Sequence, residues 1–220
     1  PFLWAKESDP NALLAINEAH KITPCPEIEM FMNILSDFKK NNIPYDIIGV
    51  QAHIDRMDRF RLEELVGMLR KYEQFGKTIH VTEFTPCSDG STINNSWKQG
   101  KWTEEEQADY VAKFYKTCFS IPTVNSIGWW DTTDYSAWQI GGGVLRADLT
   151  PKPVYDALKN LIHNEWRTKT QGKTDKKGSY SFRGFHGKYD VFIVYSDGKK
   201  VKKDIHVKKD GDNKFRIVVN

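Results

Sequence analysis

The sequence is poor in the features that mark several large classes of protein. It contains only three cysteines, Cys25, Cys87 and Cys118. They show no CxxC spacing of the kind used for metals, and an odd number leaves at least one thiol unpaired. The longest apolar runs, such as 45–50 and 190–195, are far shorter than the roughly 20 residues that cross a bilayer. We therefore expect no metal, no cofactor and no membrane-spanning segment.

Charge of one sign is also scarce, since the formal net charge is only +3. Much of the positive excess lies after residue 167, where lysines stand beside turn residues and alternate with apolar residues. A nucleic-acid site would need basic residues and stacking aromatics together on one face. The pattern indicates solvated strand faces instead, and we expect no nucleic-acid partner.

Hydrophobic residues make up 39% of the chain and aromatic residues 13%, which is enough for a sizeable core. Residues 1–166 alternate short apolar runs with segments of helical spacing, the order typical of βα units on a parallel sheet. The predicted strands are 12–16, 45–51, 76–86 and 126–130. One predicted helix ends near residue 6. Four longer ones cover 27–40, 62–75, 103–119 and 151–164. The third of these long helices has a capping-box signature, Thr103 followed by Glu106.

Residues 167–220 follow a different pattern. Short alternating segments, at 179–183, 188–195, 200–207 and 214–219, are separated by glycines and by two Asp-Gly pairs. Asp-Gly between such segments favours hairpin turns. We predict a small antiparallel β domain here, a β-sandwich-like appendage that either stabilises the chain or binds polysaccharide.

Polar or aromatic residues follow all four strands of the first region. Parallel strands bring their carboxyl ends to one edge of a sheet, where α/β proteins bind ligands. The reactive groups should therefore meet at one edge. The residues concerned are Asn17, Glu18, Gln51, His53, Glu83, Trp130 and Asp131.

In the stretch 76–86 the apolar and β-branched residues end at Glu83, and Pro86 closes the stretch. Glu83 is either a solvated strand-end charge or a nucleophile. The neighbouring His53 and Trp130 favour catalysis. Strict alternation predicts that His80 points away from Glu83. Indole rings stack on sugars, so Trp130 and Trp138 are candidate sugar contacts, with Trp97 and Trp102 as further candidates. The glycines 141–143 precede no GK[ST] and predict no phosphate loop.

Five stretches carry a resemblance to a known family: "DPNALLAINEAH", "IPYDIIGVQAHID", "TIHVTEFT", "IGWWDTTDYSAW" and "LTPKPVYDALKNL". In order and spacing, residues 1 to about 165 resemble the second half of glycoside hydrolase family 10, the retaining endo-β-1,4-xylanases. The resemblance implies an α/β fold of the TIM type, a (β/α)8 barrel of which only the last four β/α units are present. It also implies xylan or xylo-oligosaccharide as substrate and an extracellular or periplasmic location.

The resemblance further implies roles for individual residues. Glu83 matches the nucleophile, and His53 matches the histidine that hydrogen-bonds around it. Trp130 and Trp138 match the indoles that enclose the sugar. Asn17 begins the family's fifth-strand pattern and Gln51 lies on the sixth strand, so both are expected to bind substrate.

This chain departs from the family at two places. Ala19 replaces the tyrosine of the fifth-strand pattern. Thr85 replaces the carboxylate that often orients the sixth-strand histidine, so His53 is expected to lack that partner.

Retaining glycosidases need two carboxyl groups, and the second one is missing from the resemblance. Glu18 is a poor candidate, because one predicted strand separates it from Glu83 whereas two separate acid and nucleophile in the family. A full barrel has about 250 residues, so the first four strands and the acid are expected to be absent. We also expect the start at Pro1 to be an artificial or proteolytic boundary.

An isolated half-barrel leaves unpaired strand edges. We expect the N-terminal half of the same barrel, or a second copy of the chain, to cover them. The alternative is a non-catalytic carbohydrate-binding remnant.

Overall fold

The computed structural model describes residues 1–18, 22, 26–53, 59, 61–94 and 96–218. Ala19, His20 and Cys25, which the sequence analysis discussed, lie outside these residues. By internal contacts the chain divides into two compact units, Pro1–Lys159 and Asn160–Asn220. None of the described helices is both long enough and apolar enough to cross a membrane.

The first unit is built on a four-stranded parallel sheet whose strands follow the chain order β1-β2-β3-β4. The strands are β1 (Ala15–Glu18), β2 (Ile47–Val50), β3 (Thr78–Phe84) and β4 (Val124–Trp129). The helices are α1 (Phe2–Ser8), α2 (Pro26–Lys40), α3 (Leu62–Glu73), α4 (Glu104–Phe119) and α5 (Pro153–Asn160), which continues as a π-helical turn, Leu161–Glu165. The predicted alternation of strands and helices is confirmed.

Local signals explain how the helices begin and which side they bury. Thr103 caps α4, and its hydroxyl accepts a hydrogen bond from the backbone N–H of Glu106 at 3.2 Å. This is the cap predicted from the sequence. Buried side chains recur at helical spacing on α3 and α4, so each helix turns one apolar stripe inward.

The core lies against one face of the sheet. Val50, Ile79 and Val81 are buried there, and the Phe84 ring stacks on Phe114 of α4 with ring centroids 3.9 Å apart. The other face is more open. It carries Asn17 of β1, which is exposed. The sheet therefore has a structural face and an accessible face.

Side-chain alternation fails at the end of β3. The pairing of β3 with β4 shifts between Val81 and Phe84. As a result Thr82 and Glu83, which are consecutive, both hydrogen-bond to the side chain of Asn17. The rule of strict alternation, which separated His80 from Glu83, does not hold across this irregularity.

The second unit contains one antiparallel pair, β5 (Gly187–Val194) and β6 (Lys200–Val207). The strands predicted at 179–183 and 214–219 were wrong as far as the structure describes them, because residues 179–183 and 214–218 form none. Their aromatic residues, Tyr180, Phe182 and Phe215, remain partly exposed. A strand needs a neighbour for its backbone hydrogen bonds, and alternation alone did not supply one. The antiparallel sheet in this unit is therefore a two-stranded hairpin.

Candidate active site

A cluster of polar side chains lies at the carboxyl end of the parallel sheet, around Glu83 of β3. The Glu83 side chain is only 15% exposed. Its Oε2 lies 3.0 Å from Nε2 of His53, and its Oε1 accepts a hydrogen bond from Nδ2 of Asn17 at 3.3 Å. Each carboxylate oxygen therefore has one partner, and each partner comes from a different strand or strand end.

The backbone near Gln51 ties these strand ends together. The N–H of Glu83 donates to the carbonyl of Gln51 at 3.0 Å, and the N–H of Gln51 donates to the carbonyl of Glu18 at 3.2 Å. Ala52, between Gln51 and His53, is fully buried and has a positive φ of 58°. That left-handed conformation costs about 1–2 kcal/mol for a residue with a side chain. The strain sits directly before the imidazole that meets Glu83.

Two exposed indoles flank the imidazole. The His53 ring lies 4.5 Å from the Trp138 ring at a tilt of 41°, and 5.9 Å from the Trp130 ring, edge to face. Trp130 is 51% exposed and Trp138 is 62% exposed. Large aromatic rings held at the surface beside a carboxylate offer apolar faces to a sugar ring. The arrangement is therefore open to a carbohydrate from the solvent side.

A buried carboxylate holds the loop that carries Trp138. Oδ1 of Asp131 accepts from the backbone N–H of Trp138 at 2.9 Å, and Oδ2 accepts from that of Gln139 at 3.3 Å. Farther along, Nζ of the buried Lys152 contacts Asp134 Oδ2 at 3.2 Å and the Gly141 carbonyl at 2.9 Å. These bonds hold an otherwise irregular loop in place.

The expected loss of a carboxylate beside His53 has a visible consequence. Nδ1 of His53 is buried and has no hydrogen-bond partner among the described residues. Thr85 pairs with His53 in the backbone, but its hydroxyl donates to the carbonyl of Glu83 at 3.1 Å. Nε2 is therefore the ring nitrogen that is placed to donate a hydrogen bond to Glu83.

The structure brings five of the six predicted site residues together through their side chains: Asn17, His53, Glu83, Trp130 and Trp138. Gln51 joins through its backbone. Glu18 is a neighbour of Asn17 on β1, and successive side chains on a strand point to opposite faces, so Glu18 does not share the Asn17 side of the sheet. Sequence reasoning missed Thr82 and Ala52, because neither the strand irregularity nor the positive φ has a sequence signal here.

Trp102 is not a cleft residue. It is fully buried beside Tyr110 and lies over the guanidinium of Arg59, so the expectation that it contacts a sugar was wrong. Trp97 also packs on Arg59 but is 51% exposed. The two cysteines that the structure describes, Cys87 and Cys118, both have buried thiols. Burial raises the pKa of the Cys87 thiol to about 11 and that of Cys118 to about 12, so neither forms a thiolate nucleophile near neutral pH.

The site thus places a largely buried carboxylate between an imidazole and an amide, beside exposed indoles that could contact a sugar ring, at the edge of a parallel α/β sheet. The sequence pattern described as "Glycosyl hydrolase family 10" matches residues 1–161. The chain belongs to this family.

Individual relatives agree with this assignment. The chain is 28% identical over 170 residues to endo-1,4-beta-xylanase B of Thermotoga neapolitana, which covers 74% of this chain and 47% of that protein. It is also 29% identical over 198 residues to the anti-sigma-I factor RsgI6 of Acetivibrio thermocellus, covering 88% of this chain and 24% of that protein.

Solved xylanase structures share the fold. Native xylanase 10B from Thermotoga maritima superposes with a TM-score of 0.61 at 27% identity, covering 74% of this chain and 51% of that one. Xylanase 10B from Thermotoga petrophila in complex with xylobiose gives a TM-score of 0.60 at 25% identity and covers 50% of that chain. The chain thus spans about half the length of these xylanases.

Proposed function

We propose that the chain is the C-terminal half of a retaining endo-1,4-β-xylanase and that Glu83 is its nucleophile. The observation that carries the proposal is the placement of Glu83, with one donor on each carboxylate oxygen and two exposed indoles beside it. The xylobiose complex of a family member at 25% identity supports a xylo-oligosaccharide ligand. The xylanases that match at about half their length support a (β/α)8 barrel completed by four further units.

The proposed reaction proceeds in two displacements. In the first, Glu83 attacks the anomeric carbon, the glycosidic C–O bond breaks, and a second carboxyl group gives a proton to the departing oxygen. In the second, water attacks the same carbon and passes its proton to that second carboxylate, which releases Glu83. Inversion at each step gives net retention. Hydrogen bonds from His53 and Asn17 hold the Glu83 carboxylate ready for the attack.

The second carboxyl group would come from the other half of the barrel. In retaining enzymes the two carboxyl groups are about 5 to 5.5 Å apart. Among the described hydrogen bonds and ion pairs, none joins Glu83 to another carboxyl group. We propose that the N-terminal half of the same barrel, or a second copy of the chain, supplies it and covers the open face of the sheet.

The direct test is xylan hydrolysis by the chain joined to its N-terminal half, compared with the same protein carrying Glu83→Gln. We expect the variant to lose at least a thousandfold in rate, because an amide is a very poor nucleophile. Glu29→Gln is the matched control, since the Glu29 side chain is 71% exposed on α2. Undiminished hydrolysis by Glu83→Gln would refute the proposal.

A second candidate is a carbohydrate-binding protein without turnover. It is favoured by the similarity to the anti-sigma-I factor RsgI6, which aligns with 88% of this chain. Titration calorimetry with xylotetraose, together with chromatography of the products, distinguishes the two. Binding by the joined protein without any cleavage supports the second candidate, whereas cleavage rejects it.

The location and the tail are also proposals. A xylan-degrading protein would meet its polymeric substrate outside the cytoplasm, in the medium or periplasm, and fractionation with an antibody to the chain tests this. We propose that residues 167–220 form an appendage that stabilises the chain. Deletion of this segment should leave pull-down by insoluble xylan unchanged, and a lost pull-down would make it a binding module.

A further inference from the structure

We propose that Thr82, together with Gly49, is a positioning residue that holds the Asn17 amide in place against Glu83. The inference rests on the proposed role of Glu83 as a nucleophile. It concerns residues that do not themselves contact a substrate in the proposed reaction. Their effect would pass through Asn17 to the carboxylate.

The first step of the argument is how Asn17 reaches β3 at all. Asn17 lies on β1, and Thr82 and Glu83 lie on β3, with β2 between the two strands. The residue of β2 paired with Asn17 is Gly49. A Cβ atom at position 49 would lie 2.9 Å from Cγ and 3.0 Å from Cβ of Asn17, and closer still to Oδ1. The missing side chain at Gly49 is therefore the space through which Asn17 crosses β2.

The second step is the polarity of the amide. An asparagine has an acceptor oxygen and a donor NH₂ group on the same carbon, and a half-turn exchanges them. Oγ1 of Thr82 donates to Oδ1 of Asn17 at 3.0 Å. With the oxygen engaged there, Nδ2 is left to donate to Oε1 of Glu83 at 3.3 Å. This amide orientation is the one that satisfies both neighbours.

The third step is what the reverse orientation would do. It would place the amide oxygen against the Glu83 carboxylate, so that two acceptors face each other without a proton. Glu83 would keep the His53 contact on Oε2 and lose its donor on Oε1. Hydrogen bonds to a charged group are stronger than neutral ones, so the carboxylate would lose one of the two contacts that fix its plane. The carboxylate of Glu83, which only accepts, disfavours this orientation, and the hydrogen bond from Thr82 to Oδ1 holds the amide in the observed one.

The test uses substitutions at position 82 that change the hydroxyl and little else. Thr82→Val keeps the shape of the side chain and removes the hydroxyl. Thr82→Ser keeps the hydroxyl and serves as the matched control. Circular dichroism melting of both variants checks that each is folded.

The kinetic arm uses 2,4-dinitrophenyl β-xylobioside, whose leaving group departs as a phenolate and needs no proton from an acid. A Glu83 oxygen forms a bond to the anomeric carbon, the bond from that carbon to the aryl oxygen breaks, and dinitrophenolate leaves with the electron pair. The released colour and the xylobiosyl mass on the protein report this step in the chain as it stands. For Thr82→Val we expect the rate at saturating glycoside to fall about fivefold to tenfold, the effect of losing one neutral hydrogen bond, that from Thr82 to Asn17. The half-saturating concentration should not change, and Thr82→Ser should react within about twofold of the unsubstituted chain.

The spectroscopic arm does not depend on any reaction. The side-chain NH₂ signals of Asn17, assigned by their loss in Asn17→Ala, are followed by ¹H–¹⁵N NMR. In Thr82→Val we expect these signals to shift and to broaden, because the amide loses the hydrogen bond that holds its oxygen. Thr82→Ser should leave them in place.

The outcomes separate the two proposals. If the unsubstituted chain forms no covalent adduct, the role of Glu83 as the nucleophile fails in this chain, and the NMR arm alone decides the role of Thr82. If the adduct forms at the same rate in Thr82→Val, or if the Asn17 amide signals do not move in that variant, the positioning role of Thr82 is overturned. A slower adduct with shifted amide signals supports it.

Discussion

Glu83 and Glu106 are both partly buried carboxylates that receive a hydrogen bond on each oxygen, but their donors differ. Glu83 is bonded by the imidazole of His53 and the amide of Asn17. Glu106 is bonded by the guanidinium of Arg59 and the ammonium group of Lys98. In the described part of the chain no lysine or arginine forms an ion pair with Glu83. Among the described residues, one carboxylate is therefore held by an imidazole and an amide, and the other by two permanently cationic side chains.

This difference separates the proposed reactive site from a structural one. The Arg59 side chain is fully buried, pairs with Glu106 and with Asp109, and has aromatic rings around its guanidinium. Such a cluster stabilises the folded chain. A nucleophile needs a free electron pair, and a cation on each oxygen would lower its reactivity. The contrast teaches that charge satisfaction, and not burial alone, marks which carboxylate can act.

In the comparison of the two carboxylates, the largest expected effect on stability comes from breaking the structural cluster around Arg59. Arg59→Leu should lower the free energy of unfolding by about 3 kcal/mol, because it removes the partner of two carboxylates and a cation packed between aromatic rings. Glu83→Gln should change it by less than about 1 kcal/mol, since an amide can still meet His53 and Asn17. Urea denaturation followed by tryptophan fluorescence measures both. Equal losses of unfolding free energy in Arg59→Leu and Glu83→Gln would contradict the distinction between a structural and a reactive carboxylate.

The next largest effect is expected from removing the Asp131 carboxylate, which accepts the two hydrogen bonds that hold the Trp138 loop. Asp131→Ala leaves the backbone N–H groups of Trp138 and Gln139 without their acceptor, which costs about 1–3 kcal/mol for a buried group. We expect weaker binding of xylotetraose together with a small loss of stability. Asp131→Asn, which retains one acceptor oxygen, is the control. Its affinity and stability should lie between those of the unsubstituted chain and those of Asp131→Ala. Unchanged affinity for xylotetraose in Asp131→Ala, measured by calorimetry, would show that the Asp131 hydrogen bonds do not position the Trp138 indole.

The pH dependence of stability sharpens the same comparison. Burial would raise the pKa of Glu106, but the hydrogen bonds from Lys98 and Arg59 outweigh burial and hold its pKa below the ordinary value of 4.5. A lowered pKa in the folded state means that this stabilisation is fully present above the ordinary value. It is lost as the pH falls from there through the folded-state pKa.

Urea denaturation between pH 7 and pH 3 therefore tests the cluster. The unsubstituted chain should lose stability below about pH 4.5, and Arg59→Leu should lose less over the same interval because one source of the lowered pKa is gone. An identical slope in the two proteins would contradict the assignment of the charge effect to Arg59.

The smallest effect is expected on the hairpin of the second unit. Phe192 on β5 is 64% exposed, so Phe192→Ser should change the free energy of unfolding by no more than about 0.5 kcal/mol. The matched variant Phe84→Ala, in the buried aromatic stack of the first unit, should cost about 3–5 kcal/mol. Thermal denaturation compares them. A large loss in Phe192→Ser would mean that the hairpin face is covered.

Much of the first unit could be predicted because its signals are local. Helical spacing predicted α2, α3 and α4, and the Thr103 cap begins α4 where the sequence indicated. The same capping box also shows the limit of local reasoning. The Glu106 side chain bonds to Arg59 and Lys98, since a distant cation outweighs the nearby backbone donor that a capping box would offer.

The second unit was harder to predict because alternation indicates that a segment can form a strand, not that a partner is present. Residues 188–195 and 200–207 pair through the Asp197-Gly198 turn, which is local. Residues 179–183 have the same kind of alternation and no strand neighbour. Trp102 was similarly misassigned, because a tryptophan in a loop has the same sequence whether it faces a cleft or packs on Arg59.

By itself the sequence determined the order of the strands and helices in the first unit and which polar residues lie at the strand ends, since apolar runs and their polar ends are properties of the chain read in order. Only the tertiary structure decided how those groups meet: that Asn17 crosses β2 over Gly49, that Thr82 orients its amide, and that Asp131 holds the Trp138 loop. These contacts join residues that are far apart in the chain and depend on strand register, on an irregularity in β3 and on one absent side chain. Their distances are set by packing, which no local pattern records.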